Sequence, residues 1–431
     1  MKIGIIGGGV MGLSLAYHLS QANHEVIIYE KNQQLGGLAT YHDFGAFYWD
    51  RYYHVILPTD GPLINFIKSI GLGEKLEWGT TKTGFYVDGE YYPLNDAFDF
   101  IKFPPLNLWN KFRLGLAILY ASRIKDWKKL EKIKVEDWLI KVSGTQTYNK
   151  IWKPLLLAKL GENYKRVSAV FIWSYIARLY GARDSSARKE QMGYVSGGYK
   201  TVIDKLTEII QEGNGKIYSN CTVLSIQPSS ENRLKVETTN DTEEFEKVIF
   251  TSPVNVLQKV VSGKLIDIEY AGKDVEYSGV VCLALVTKKE ISPYYTLNIT
   301  DNSIAYTAVI GMSSVVSIDE TGGYYLTYFP KYIHSNDPFL KKPDNEIREL
   351  FMGSIKKMYP QITDEDIVGV HINREFRVQP LQVLNYSTII PRVSTRHPGF
   401  YILNTSQFVN NTLNNNAVIQ AVNNFIENEN I

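Results

Sequence analysis

The chain has 431 residues and a formal net charge of +1, with 44% apolar and 21% charged residues. That length exceeds what a single hydrophobic core serves, so more than one lobe is expected, and near-neutrality argues against nucleic-acid binding. Cys221 and Cys282 are the whole cysteine content, too few for a disulfide framework, and no Cys/His spacing suggests a metal site.

The first forty residues carry the strongest signal. An apolar run, Lys2-Ile3-Gly4-Ile5-Ile6, opens onto Gly7-Gly8-Gly9-Val10-Met11-Gly12. Leu13, Ala16 and Leu19 follow at helical spacing, and a second apolar run, Val26-Ile27-Ile28-Tyr29, ends at Glu30. This is a strand–turn–helix–strand unit suited to a dinucleotide. Gly7 allows the tight turn, Gly9 lets backbone N–H groups approach a pyrophosphate, and Gly12 lets the helix lie close on the sheet. Val10 and Met11 begin that helix, whose unpaired N–H groups favour phosphate. The carboxylate of Glu30 suits both hydroxyls of an adenosine ribose, with Lys31 next to it.

A second glycine pair then appears in Leu35-Gly36-Gly37-Leu38-Ala39-Thr40. Together with the opening unit it resembles the flavin-containing amine oxidase superfamily, which includes protoporphyrinogen oxidases, phytoene desaturases and, more distantly, UDP-galactopyranose mutases. The family commonly has Arg where Leu38 stands. The resemblance continues through Gly197-Gly198 and a helix over 201–211. It extends to a strand over 216–226 whose Val223 would pack on adenine, and to a strand ending at Thr251. Near the end, Asn404-Thr405 replaces the family's Gly-Asp pair at the ribityl chain. The loop Asn414-Asn415 leads into a helix at Ala417, with Asn as a good N-cap. The N-terminus of that helix would face the pyrimidine edge of the flavin.

The resemblance implies an α/β fold: a Rossmann-like FAD-binding domain of the glutathione-reductase type, a mixed-sheet substrate domain and an inserted helical subdomain. The expected boundaries are 1–58, 190–260 and 395–431 for the first, 59–100 and 261–394 for the second, and 101–189 for the third. FAD is the expected cofactor. No cysteine lies in the first forty residues or near the closing loop, so it is expected to be held non-covalently.

Segment 103–134 reads as helical, apolar around Leu114–Ala121 and then basic at Arg123, Lys125, Lys128, Lys129, Lys132 and Lys134. A solvated basic face is the plainer account; peripheral contact with an anionic membrane is the alternative. No apolar run reaches the ~18 residues of a transmembrane helix. The chain begins directly on a core-type strand, so no signal peptide and a cytoplasmic location are expected.

The 29 tyrosines include a cluster at Tyr41, Tyr48, Tyr52 and Tyr53, which suits a partly apolar, partly hydroxylated ligand, or simply strand packing. Arg51 and His54 lie in the stretch that, by resemblance, passes beside the flavin. They are the candidate flavin or substrate contacts, with His54 a possible general base or a structural histidine. Arg374 and Arg377 lie on the strand that returns toward the flavin; they would bind an anion or pair with Glu375.

The implied activity is hydride removal from a C–N or C–C bond of a small substrate. A redox-neutral sugar mutase acting on a nucleotide- or lipid-linked sugar is the alternative, and no feature speaks for a non-enzymatic flavin scaffold.

Overall fold

The protein is described as a computed structural model, covering residues 1–429 except 96, 182–190, 231, 262, 264 and 267–271. Strand β1 (Lys2–Ile6), helix α1 (Val10–Gln21) and strand β2 (Glu25–Tyr29) form the opening unit. The two strands pair in parallel, Ile5 opposite Ile28. They lie at the middle of a five-stranded parallel sheet completed by Lys247–Phe250 and Phe400–Ile402 on one side and Lys216–Tyr218 on the other.

Both faces of this sheet are covered, which explains why its strands read as continuous apolar runs rather than alternating ones. Ile3, Ile5, Val26 and Ile28 pack under α1 and the helices Gly198–Glu212 and Asn415–Glu429. Ile6, Ile27, Tyr29, Val248 and Phe250 pack on the other face, against a three-stranded antiparallel sheet (Val223–Ser230, Arg233–Thr238, Thr242–Phe245). Gly4 makes room for the ring of Phe245, which would lie 3.2 Å from a Cβ there.

A seven-stranded mixed sheet forms the second layer system. Its order runs Ile367–Pro380, Tyr277–Thr287, Tyr325–His334, Ala308–Gly311, Thr296–Ile299, Thr83–Val87, Glu90–Pro93. Every residue of Tyr277–Thr287 is buried. The helix Asp344–Met358 covers one face through Phe351 and Ile355. The other face, at Cys282 and Ala284, meets Trp49 and Phe47 from the segment after the second glycine pair.

Three expectations need correction. Residues from 59 onward do not all join the mixed sheet: the helix Gly61–Ser69 buries Leu63, Phe66 and Ile67 in the core of the parallel-sheet lobe. The strand over 216–226 is two strands, broken at Asn220, which takes φ 52° as the chain leaves one sheet for another. The helix within 103–134 stops at Ser122, and the basic part is non-α-helical, with Lys128, Lys129 and Lys132 on the 3₁₀ turn Trp127–Lys132. That turn is pinned by Glu131, whose buried carboxylate accepts hydrogen bonds from the backbone N–H and hydroxyl of Ser387. The inserted helices Leu108–Ser122, Val135–Ser143, Lys153–Leu160 and Ala169–Gly181 share a core around Trp138, Trp152 and Phe171.

Candidate active site

The opening turn and the mixed sheet enclose one cavity of about 1640 Å³. Single small-molecule sites commonly run to roughly 300–1,000 Å³, so this one has room for a dinucleotide and a further ligand.

At the base of the cavity, Gly7 takes φ +115° and its N–H donates to Tyr29 O at 2.9 Å. Thr251 closes the turn from beneath, its hydroxyl donating to Ile6 O at 3.0 Å. Gly9 caps α1 with no side chain bonded over the first turn, so the N–H groups of Val10 and Met11 face the cavity. The second glycine pair clasps this turn. Gly36 N–H donates to Gly8 O at 2.8 Å, and the Cα of Gly9 lies 3.2 Å from where a Cβ on Gly37 would stand. Bare N–H groups at a helix start, with only glycine on either side, fit a pyrophosphate. Gly12 is not on the cavity wall; a Cβ there would stand 2.0 Å from Gly7 O, so its role is close helix–strand packing.

Glu30 is 7% exposed and on the wall. Its carboxylate accepts from Gly8 N–H at 2.8 Å and Asn32 N–H at 2.9 Å, leaving lone pairs for a ribose. Glu30→Ala should weaken FAD retention by roughly 1–3 kcal/mol for the lost charged hydrogen bonds, read as flavin release in an equilibrium titration. Unchanged affinity would show that the ribose is held elsewhere. Lys31 and Val223 line the same end, as does Cys221.

Leu38, Ala39 and Thr40 continue the wall. Thr40 O accepts from the backbone N–H of Arg51 at 2.9 Å, and the Arg51 guanidinium donates to Gln34 Oε1 at 2.9 Å. Its Nε is buried without a partner, and among the described residues no carboxylate pairs with it. A cation therefore stands beside the glycine pair even though Leu38 supplies none. Gln34 is a contact that sequence reasoning missed.

His54 also lines the cavity. Its Nδ1 lies 3.4 Å from Asp50 Oδ2, and its ring meets that of Tyr199 edge-on. Asp50 is 2% exposed and anchored twice: its carboxylate accepts Tyr199 N–H at 2.7 Å and its carbonyl accepts the hydroxyl of Tyr328. The imidazole thus lies within ion-pairing distance of a buried carboxylate but makes no hydrogen bond to it, a neighbour that the sequence reading did not name.

Beyond His54 the wall is phenolic. Tyr52, Tyr53 and Tyr332 face the cavity, with the hydroxyls of Tyr53 and Tyr332 2.5 Å apart. Burial pushes all three phenols above their ordinary range, so they stay neutral.

The two arginines separate. Arg377 lines the cavity, and Glu375, instead of pairing with it through its guanidinium, accepts the backbone N–H groups of Phe376 and Arg377. Arg374 does not reach the cavity: its guanidinium binds Asp344 at 2.5 Å and Lys342 O at 2.6 Å, fastening the start of the helix Asp344–Met358. The expectation that it binds an anion at the pocket, or pairs with Glu375, is corrected accordingly: its partner is Asp344.

At the closing end, Thr405, Asn414 and Asn415 line the wall, whereas Asn404 and Ala417 do not. The amide oxygen of Asn404 is spent on the turn Thr405–Gln407, accepting from Ser406 N–H at 3.0 Å, while its Nδ2 is buried without a partner. Ala417 contributes its N–H to Asn414 Oδ1 at 2.9 Å, the N-cap anticipated for the last helix.

Residues 11–397 match the family described as flavin containing amine oxidoreductase. A 15-cis-phytoene desaturase of Capsicum annuum is 22% identical over 65% of this chain, a match spanning about half, 51%, of that protein's length. The fold is similar to a putative protoporphyrinogen oxidase from Exiguobacterium sp. 255-15, with TM-score 0.76, 17% identity and coverage of 99% of this chain and 98% of that one. It is also similar to a reduced UDP-galactopyranose mutase, with TM-score 0.72, 15% identity and coverage of 99% and 95%. With the family matched over most of the chain and a cavity that fits its cofactor, the protein belongs to the flavin containing amine oxidoreductases and is an FAD-dependent oxidoreductase.

Proposed function

We propose that the protein removes a hydride from a C–N or C–C bond of a small, partly apolar substrate, with FAD held non-covalently and extended as in glutathione-reductase-type domains. The observation that carries this reading is the continuity of the cavity, from the bare N–H groups of α1 past Arg51 and His54 to the neutral phenols of the mixed sheet. FAD, when bound, supplies the hydride acceptor. Gly9, Val10, Met11, Gly36 and Gly37 would hold its pyrophosphate and Glu30 its ribose, with Arg51 adding positive charge on the same wall. Thr405 and Asn415 would hold its far end. Cys221 lies at the opposite end, beside Val223, which supports a non-covalent flavin. Tyr52, Tyr53 and Tyr332 give the substrate apolar faces and hydrogen-bonding tips. His54, beside the buried carboxylate of Asp50, accepts the proton left when the hydride departs, so that a C=N or C=C bond forms.

The test is anaerobic bleaching of the purified yellow protein by candidate amines, porphyrinogens and polyprenyls. Bleaching by one class supports the reading. Turnover of a UDP-sugar only after dithionite reduction would replace it with the mutase reading.

The same proposal places the protein at an anionic membrane surface. Among the described residues no helix is long and apolar enough to cross a membrane. The helix Leu108–Ser122 nevertheless leaves Leu108, Trp109, Phe112, Leu116 and Tyr120 exposed by 73%, 68%, 59%, 50% and 55%. Leu108, Phe112, Leu116 and Tyr120 are spaced by one helical turn and so form a stripe. Exposed Arg123, Lys125, Lys128 and Lys132 follow it in the chain. Apolar residues beside cations match a bilayer of acidic lipid. In vesicle flotation the protein should rise with acidic-lipid vesicles and not with neutral ones. Phe112→Glu/Leu116→Glu should cut binding by about tenfold or more, since each side chain gives up roughly 1.5–3 kcal/mol of burial. Equal flotation of the variant would remove the membrane assignment.

A further inference from the structure

Beside the main cavity lies a second one of about 120 Å³, between the inserted helices and the mixed sheet. Tyr53 and Tyr332 line both, so their paired hydroxyls form the partition. Into the smaller cavity projects Lys159, from the helix Lys153–Leu160. The ammonium lies 5.1 Å from the ring centre of Tyr175 and 5.9 Å from that of Tyr332. Lys159 lines this cavity and is half-buried, and crowding by protein atoms pushes its pKa down from the ordinary lysine value.

Two other lysines drawn in from solvent have carbonyl acceptors: half-buried Lys331 donates to Ala305 O at 2.9 Å and buried Lys111 to Ile101 O at 2.5 Å. For Lys159, the structure gives ring faces and neither a carboxylate nor a carbonyl partner among the described residues. A partly desolvated ammonium without a counter-charge carries a cost, and ring faces offset only a part of it. Asn298, on the same wall, has a second amide N–H beyond its 3.5 Å bond to Gly84 O. One strong cation and a spare N–H donor, in a space of a few non-hydrogen atoms, make an anion subsite.

We propose that Lys159 anchors an anionic group of the substrate, a carboxylate or phosphate, which reaches it when the Tyr53–Tyr332 hydroxyl pair parts, while the part to be oxidised lies in the main cavity. This rests on the proposed function and narrows its substrate class to acids. It also explains why the inserted helices close over the sheet at this point: they bring the cation that the parallel-sheet lobe does not supply there. Anion binding raises the affinity of Lys159 for its proton, so binding should be full below the free lysine's pKa and fade as pH rises through it.

The test is calorimetric titration of the oxidised, flavin-loaded protein with inorganic phosphate, acetate and benzoate, with benzamide as the uncharged match for benzoate. The expected result is that at least one anion binds, that benzoate binds about tenfold or more tighter than benzamide, and that Lys159→Met abolishes the preference while Lys159→Arg retains it. Phosphate against carboxylate affinity tells the two anion sources apart. Equal affinities of the parent and Lys159→Met, or of benzoate and benzamide, would overturn the proposal. Should Lys159→Met not fold, the pH profile of the parent decides: anion affinity that does not fall with rising pH overturns it equally. No turnover is measured, so absent anion binding leaves the hydride reading standing, and absent bleaching leaves the anion result readable.

Discussion

Gly12→Ala should yield a protein that purifies colourless or nearly so. The added methyl carbon would stand 2.0 Å from Gly7 O and 3.2 Å from the carbonyl carbon of the same residue. Both belong to backbone, so no side chain can swing away. Either α1 lifts off β1, or the Gly7 turn shifts, and that turn is where the N–H groups of Val10 and Met11 are aimed. Overpacking typically costs about 1–3 kcal/mol, and a clash that dislocates backbone belongs at the upper end or beyond. Flavin-to-protein absorbance ratio and melting temperature are the two readouts, and both should fall together. Gly115→Ala is the matched control: the position lies mid-helix with open space around it, and the change should stabilise by about 0.5–1 kcal/mol. Full flavin loading in Gly12→Ala would show that the turn does not need the close packing argued for it.

The opening turn was readable from sequence because its requirements are local. Three glycines, a strand on either side and a terminal carboxylate are all dictated by backbone approach within one βαβ unit. The Asn414 cap was readable for the same reason, since an N-cap bond spans only three residues. Arg374 and Arg377 show where such reading stops. Pairing of Ile367–Pro380 with its neighbour jumps from Glu375 opposite Val280 to Gln379 opposite Ser278. Arg377 sits inside that irregularity, at the cavity, while Arg374 stays in register and turns to Asp344. Bulges re-aim side chains near active sites, but the placement of this one comes from how two distant strands settle together. Asp50 could have been suspected from its place four residues before His54. Lys159 could not, because its surroundings come from a helix, the segment at Tyr53 and three sheet strands far apart in the chain.

The helix Gly61–Ser69 shows a different limit, and its start carries the second large prediction. Its N-cap, Asp60, is 3% exposed and accepts Leu57 N–H at 2.9 Å. Arg178, from the inserted helix Ala169–Gly181, donates to both carboxylate oxygens at 3.2 and 2.9 Å and lies 3.4 Å from the hydroxyl of Thr412, just before the closing helix. One guanidinium therefore ties the insert to the start of the helix Gly61–Ser69 and to the loop that leads into the closing helix. Arg178→Met leaves the Asp60 charge buried with only a backbone N–H to face. Breaking such pairs costs about 3–5 kcal/mol; the lower end applies here, because Leu57 N–H remains and Arg178 is itself 28% exposed. The melting temperature should drop by several degrees. Asp60→Asn/Arg178→Met should recover most of the loss, since it removes the stranded charge while keeping an acceptor for Leu57. If the single variant melts with the parent, or the double variant lower than the single, then Asp60 is not held by this pair and the insert is fastened elsewhere.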